Sequence, residues 1–336
     1  MIEILAWVSD PLEARGSETQ GARVRDISST NWLLMPHPFT HPSSKQLLEN
    51  VKSVFQNKSI FQKRDRHIVF VCGGAIGLYS RSMRKKFLRY AASQLQQFRC
   101  FRAETATKDL HQYDETALFI NVADFEKRIA NIADCIIIFP ESAGSIAELA
   151  FFCNSNARKK ILVINDVHKQ GETFINLGPI DYINDVSSFK PTIFLDYKAK
   201  NPNFNLVKER LESRLSTEKA KRFPFLQYTE LKYQQRFFLI FELINIFCVL
   251  SLDGLIECVT KIFGNPNVSA VRDMLSILVA AGYLERQGDE KQYFIPAKGI
   301  ESFFEYRSYD INSLKTIVID FFERYHPESY KIHTGR

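Results

Sequence analysis

Two carboxylates bracket a short turn in the stretch DCIIIFPESAGSIAELAFF, residues 134–152. Glu141 stands at the end of an apolar run, and Glu148 lies in the helical pattern that follows. Between them come Ser142, Gly144 and Ser145. This set suits the cleavage of an N-glycosidic bond, which passes through a cation at the sugar C1′. One carboxylate can attack or stabilise that carbon, as in retaining glycosidases. A second acid can protonate the departing base. Amides at a helix start and serine hydroxyls can hold sugar hydroxyls or phosphate, and glycine lets a backbone approach a ligand closely. A structural use competes. Ser145 and Glu148 fit the S-x-x-E capping box, in which the cap contributes about 1 kcal/mol. That explains two residues without chemistry and leaves Glu141, Ser142 and Gly144 unexplained. Spacing alone keeps both readings open.

Such a turn acts only if a frame holds it. HIVFVCGG, residues 67–74, is a short apolar, β-branched run closed by Gly73 and Gly74; it predicts a buried strand and a tight loop. Residues 80–95 have helical spacing, with Met83, Phe87 and Leu88 on one side. Further strands are expected at 98–104, 134–140, 159–167 and 191–197. Helices are expected at 122–133, 145–156 and 205–215. Continuous apolar strands alternating with helices predict an α/β fold with a parallel, Rossmann-like sheet covered on both faces. Ligands bind such sheets at the carboxyl ends of the strands, where the strand order switches. The Gly73–Gly74 loop and the turn at 141–145 are therefore expected to line one crevice.

The remainder divides differently. Residues 1–56 hold many turn formers, among them MPHPFTHPSSK, and predict an extension with a short helix at 46–55. The sheet domain is expected over 57–215. From 216 onward, helices at 234–250, 252–264 and 268–284 precede a strand–turn–strand at 284–297 with its turn at Gly288–Asp289. Three helices and a hairpin in that order predict a winged helix, followed by a helix at 313–325.

Composition narrows the class. The chain has 336 residues, 45% hydrophobic and 24% charged, as expected of a soluble protein of two or three domains. No apolar run approaches the roughly 20 residues that span a bilayer, and the start lacks a secretory signal pattern. Six scattered cysteines without a C-x-x-C pair suggest buried thiols in a reducing cytoplasm and no zinc site. The net charge of +6 is unevenly placed. Residues 58–102 carry eleven Lys and Arg against Asp65 alone, a block that suits a polyanion. Arg81, Arg84, Lys85 and Arg89 share one helical face by spacing and are the candidates for phosphate contact. The expected winged helix is not basic: residues 251–299 hold five basic and six acidic side chains. A duplex reader normally shows a basic stripe, so this region is expected to contact protein.

The motifs VCGG, DCIIIFPESAGSIAELAFFCN and KKILVINDV…ETFINLGPI resemble those of the nucleoside deoxyribosyltransferase-like effectors encoded beside retron reverse transcriptases. The resemblance covers residues 66–180 by motif and the rest by architecture. It implies that Glu148 is the catalytic nucleophile, and that Glu141 lies near ribose and base. Asp124 or Glu126 would stand near a further acidic position, and Asn176 matches a family motif. It further implies cleavage of a nucleotide, with NAD or another nucleotide as substrate and no separate cofactor. The implied setting is a tripartite toxin–antitoxin or phage-defence system. There the reverse transcriptase and its multicopy single-stranded DNA–RNA (msDNA) restrain the effector, in an oligomer or filament, in the cytoplasm. A different class of function also fits the residues: a non-catalytic nucleotide sensor that regulates transcription through the winged helix.

Overall fold

Helix α1 (Ser44–Gln56) and strand β1 (Ile60–Gln62) precede the first apolar run, which forms strand β2 (His67–Cys72). The computed structural model describes residues 38–57, 59–63, 66–77, 80–113, 121–215, 220–288 and 292–335. Most of the expected extension, with Lys58, Arg64, Asp65 and Asp289, lies outside them. After β2 come α2 (Met83–Gln94), β3 (Phe98–Phe101), α3 (Ala103–Tyr113), α4 (Val122–Ile132), β4 (Cys135–Ile138) and α5 (Ala143–Cys153). Then follow β5 (Ile161–Asp166), α6 (Asp181–Val186), β6 (Ile193–Leu195) and α7 (Asn205–Arg214).

The five strands β2 to β6 form a parallel sheet in the order β3-β2-β4-β5-β6. The chain leaves β2 toward β3 on one side and returns to β4 on the other. The order therefore switches between β2 and β4, where a doubly wound sheet opens its crevice. Every residue of β2, β4 and β5 is buried, which is why these strands read as unbroken apolar runs. Alternate side chains take opposite faces. Val69 and Val71 pack with Met83 and Phe87 of α2 and Val207 and Leu211 of α7. Ile68, Phe70 and Cys72 pack with Ala106 of α3, Phe125 and Ile129 of α4 and Leu149 of α5.

The C-terminal elements are β7 (Lys221–Arg222), α8 (Tyr233–Phe247), β8 (Leu250–Ser251), α9 (Leu252–Phe263), α10 (Val268–Ala280), β9 (Leu284–Gln287), β10 (Tyr293–Pro296), β11 (Phe304–Tyr306), α11 (Ile311–Tyr325) and α12 (Pro327–Thr334). Strand β10 lies between β8 and β9, antiparallel to both. Strand β1 lies between β11 and β7, also antiparallel. Phe55 of α1 meets Phe223 and Phe263 with ring centroids 6.3 and 5.1 Å apart. One continuous apolar core thus includes α1, the α3–α5 face of the sheet and the C-terminal helices. Within it Glu242 of α8 is fully buried. It accepts from Ser302 Oγ at 2.6 Å, Tyr306 Oη at 2.8 Å and Asn245 Nδ2 at 3.1 Å, a satisfied network that fastens β11 to α8. Among the described residues no helix is long and apolar enough to cross a membrane.

Candidate active site

The loops after β2 and β4 meet, as the strand order requires. Glu141 joins them. Its Oε1 accepts from Gly74 N at 2.8 Å and Arg84 N at 3.1 Å, and its Oε2 from Met83 N at 2.6 Å. Met83 and Arg84 open α2, so the carboxylate also sits at the positive end of that helix. Glu141, expected as a catalytic acid, is placed as a brace between the two loops: its carboxylate accepts from three N–H groups. Gly73 and Gly74 serve the same brace. A Cβ on Gly73 would come 2.7 Å from Arg84 Cβ and 3.0 Å from Glu141 Oε1, and one on Gly74 would come 3.1 Å from Glu141 Cδ. Their lack of a side chain makes room for Glu141 and Arg84, where sequence reasoning expected room for a ligand.

Helix α5 begins two residues earlier than its periodicity suggested, because Ser142 is the cap. Ser142 Oγ accepts from Ser145 N at 3.2 Å, and Ser145 Oγ accepts from Ser142 N at 3.0 Å and Glu141 N at 3.1 Å. Both hydroxyls hold the turn. Gly144 follows the cap, exposed, with only Ser142 Oγ near its Cβ position, at 3.9 Å. Glu148 is six residues beyond the cap, in the second helical turn, so the capping role expected for it falls away.

Glu148 instead faces a cluster of ionisable groups from β2, α2, α3 and α4. The Cys72 thiol, 1% exposed at the end of β2, stands beside its carboxylate. The carboxylate oxygen Oε2 is buried and has no hydrogen-bond partner among the described residues. Arg84 is also buried, at 3% exposure. Its Nε donates to Gly74 O at 2.9 Å and its Nη2 to Glu104 Oε1 at 2.6 Å. This corrects the expected basic face: Arg84 turns inward because the Gly74 carbonyl and Glu104 give it partners there. Arg81 and Arg89 remain exposed, and the Lys85 ammonium reaches Gly77 O at 2.6 Å.

The electrostatics separate two acids. Burial pushes the Glu148 carboxyl up to about 7; Arg84 opposes the rise and Glu104 adds to it. Burial, then the charges of Glu148 and Glu104, push Glu126 up to about 8 against the pull of Arg84. Burial and the neighbouring Glu148 raise the Cys72 thiol well above its ordinary range. Both acids are thus raised into the neutral range, where acid–base and nucleophilic catalysis can use them. Asp124, the alternative to Glu126, is exposed.

Asn176 shapes the neighbouring loop. Its Nδ2 donates to Lys169 O at 2.7 Å and Gly171 O at 2.6 Å, and its Oδ1 accepts from Asn165 Nδ2 at 3.0 Å. That folds the segment after β5 and leaves Phe174 84% exposed. The same segment brings Asp166, His168 and Asp196 together, with ligand atoms within 4.8 Å of one another. The His168–Asp196 pair at 3.3 Å and the Asp166 bond to His168 N account for this grouping without an ion.

Sequence reasoning missed Cys72 and Glu104. Cys72 was legible only as the last apolar residue before Gly73. Glu104 lies on α3, whose inner face is Ala103, Ala106 and Leu110, a spacing that marks a helix but is weak because two of the three are alanine.

A family described as STM3845 retron effector protein matches residues 80–286 by its sequence profile. The chain is 28% identical over 285 residues to the Escherichia coli "Retron Ec73 putative ribosyltransferase/DNA-binding protein", covering 80% of this chain and 88% of that one. It is 29% identical over 158 residues to the "Retron Ec86 putative ribosyltransferase/DNA-binding protein" of the same species, covering 46% and 48%.

Proposed function

The chain belongs to the STM3845 retron effector family, and from that premise we propose that it is a toxin that cleaves the N-glycosidic bond of a nucleotide, NAD foremost, with Glu148 as nucleophile. The observation that carries this reading is the buried, unpartnered Oε2 of Glu148 beside a second acid with a raised pKa. The ribosyltransferase part of the relatives' names agrees with glycosyl chemistry. Glu148 attacks C1′ as the C1′–N bond breaks, and the bonding electron pair leaves with the base. A neutral base takes the Glu126 proton. The nicotinamide of NAD is already cationic in the substrate and leaves neutral without one. Water, deprotonated by ionised Glu126, then attacks C1′ of the glycosyl ester and frees Glu148. Arg84 limits the repulsion among Glu104, Glu126 and Glu148.

The parallel-sheet portion acts as a nucleoside deoxyribosyltransferase-like domain. The C-terminal run α8-β8-α9-α10-β9-β10 has the order of a winged helix. Its charge balance favours the reverse transcriptase as its partner. The exposed Arg81 and Arg89, with Lys85, are the phosphate contacts to the msDNA, within a cytoplasmic assembly that restrains the toxin. The DNA-binding part of the relatives' names favours a second reading, a non-catalytic nucleotide sensor acting on DNA.

The two part on one experiment. Wild type and Glu148→Gln, freed of partners, are incubated with NAD and with nucleosides, and base release is measured. Release by wild type alone supports the glycosidase. Equal rates remove Glu148 as nucleophile, and no release from either folded protein favours the sensor.

A further inference from the structure

Two ion pairs tie the C-terminal elements to the helices that carry the site's acids. Arg286 of β9 meets Asp109 of α3 through two bonds, Nε to Oδ1 at 2.9 Å and Nη2 to Oδ2 at 2.6 Å. Both side chains are close to nine-tenths buried. The same guanidinium lies over the Phe294 ring at 4.6 Å and reaches Ser276 Oγ at 3.3 Å. Arg128 of α4, itself 37% exposed, pairs with Asp273 of α10, whose carboxylate is 1% exposed. Asp109 stands five residues after Glu104 on α3, and Arg128 two residues after Glu126 on α4. Helix α10 is buried at every position from Asp273 to Leu278, more than one full turn of about 3.6 residues. Its whole circumference is therefore covered there. Removing one partner from a buried pair leaves an uncompensated charge, so such pairs hold their elements in register.

We propose that Asp109–Arg286 and Arg128–Asp273 are positioning pairs, through which α10 and β9 fix helices α3 and α4 and hence set Glu104 and Glu126 around Glu148. The catalytic consequence rests on the glycosidase reading; the docking does not. From Asp273 to Leu278 α10 is occupied inside the molecule and is not open to a nucleic-acid groove. A protein that displaces α10 or β9 would reach the acids through these pairs.

The test uses the full chain with Asp109→Asn, nearly isosteric, and the charge swap Asp109→Arg with Arg286→Asp. Amide hydrogen exchange reads the docking. In Asp109→Asn, exchange in α3 rises by about tenfold or more, and in Arg128→Gln, which breaks the other pair, exchange in α4 does so, while α2 and α7, on the other face of the sheet, keep wild-type rates. Base release reads the chemistry: kcat falls by about tenfold or more and KM stays within about twofold. With a neutral leaving base, the alkaline limb of the pH profile moves to lower pH. Glu126 is faced by Glu148 of α5, Glu104 of α3, Arg84 of α2 and the Cys72 thiol of β2, and withdrawal of Glu104 removes one repulsion. The swap restores part of the kcat, which a loss of folding alone would not give. Unchanged exchange in α3 and α4, or an equal rise over the whole sheet domain, overturns the proposal. Should Asp109→Asn fail to fold, Arg286→Lys, which keeps the charge but cannot make both bonds to Asp109, is read by the same criteria. If wild type releases no base, the glycosidase reading fails, and the exchange data alone decide whether the pairs position α3 and α4.

Discussion

Replacing Glu141 by Ala removes three hydrogen bonds at once, from the N–H groups of Gly74, Met83 and Arg84 at 2.8, 2.6 and 3.1 Å. A hydrogen bond to a charged group contributes about 1.5–3 kcal/mol. Three on one carboxylate do not add in full, and the freed amides at the start of α2 can turn partly to water. The net loss expected for Glu141→Ala is about 3–4 kcal/mol. Glu141→Gln keeps one acceptor oxygen but points an NH₂ at N–H donors, and about half of that loss remains. With a urea slope of about 3 kcal/mol/M, the midpoint moves down by about 1 M for Ala and about half as far for Gln. Urea unfolding followed by circular dichroism measures this, with base release assayed on each variant while folded. The expected order of stability is wild type, Gln, Ala, and folded Glu141→Gln keeps base release within about tenfold of wild type. Loss of a catalytic general acid lowers the rate by about 10²–10⁴. A Glu141→Gln variant of unchanged stability that loses base release on that scale would make Glu141 the proton donor and refute the brace.

Other consequences follow from the two raised acids and the basic surface. For a neutral leaving base, kcat/KM rises as Glu148 ionises near pH 7 and falls as Glu126 loses its proton near pH 8; this narrow bell is checked by a pH series of base release. For NAD, where Glu126 acts as base in the second half, turnover keeps rising past pH 8. Glu126→Gln should slow release of neutral bases by about 10²–10⁴. From NAD it should still permit a first burst of nicotinamide, which rapid-quench kinetics would resolve. Charge reversal at exposed Arg81 and Arg89 should lower the salt slope of msDNA binding by just under one unit per lost phosphate contact. Binding titrations at several salt concentrations measure this, and an unchanged slope removes that face as the nucleic-acid surface.

The strands and their crevice were legible because β2, β4 and β5 are buried on both faces and so leave uninterrupted apolar runs in the sequence. Their carboxyl ends had to carry the loops at 73–74 and 139–142. The roles inside the crevice were not legible, because they depend on which polar group finds which partner. Arg84 shares a helical period with Arg81 and Lys85, yet the Gly74 carbonyl and Glu104 draw it inward. Ser142, not Ser145, takes the cap, since either serine fits the local pattern and only the strand end decides where α5 can start. Helix α3 escaped notice through its alanine-rich inner face, and with it Glu104 and Asp109. Strands β1, β7 and β11 have two or three residues each, too few to show a period of two, so the sheet that links the N-terminal segment to the C-terminal elements left no local signal.

The proposed chemistry requires Glu148 to bond to the sugar. The direct measurement is acid-quenched peptide mapping by mass spectrometry after Glu126→Gln protein is mixed with NAD. A glycosyl ester on Glu148 is expected, formed in step with the first burst of base and absent from Glu148→Gln. Burst release without an adduct, or an adduct on another carboxylate, would contradict it.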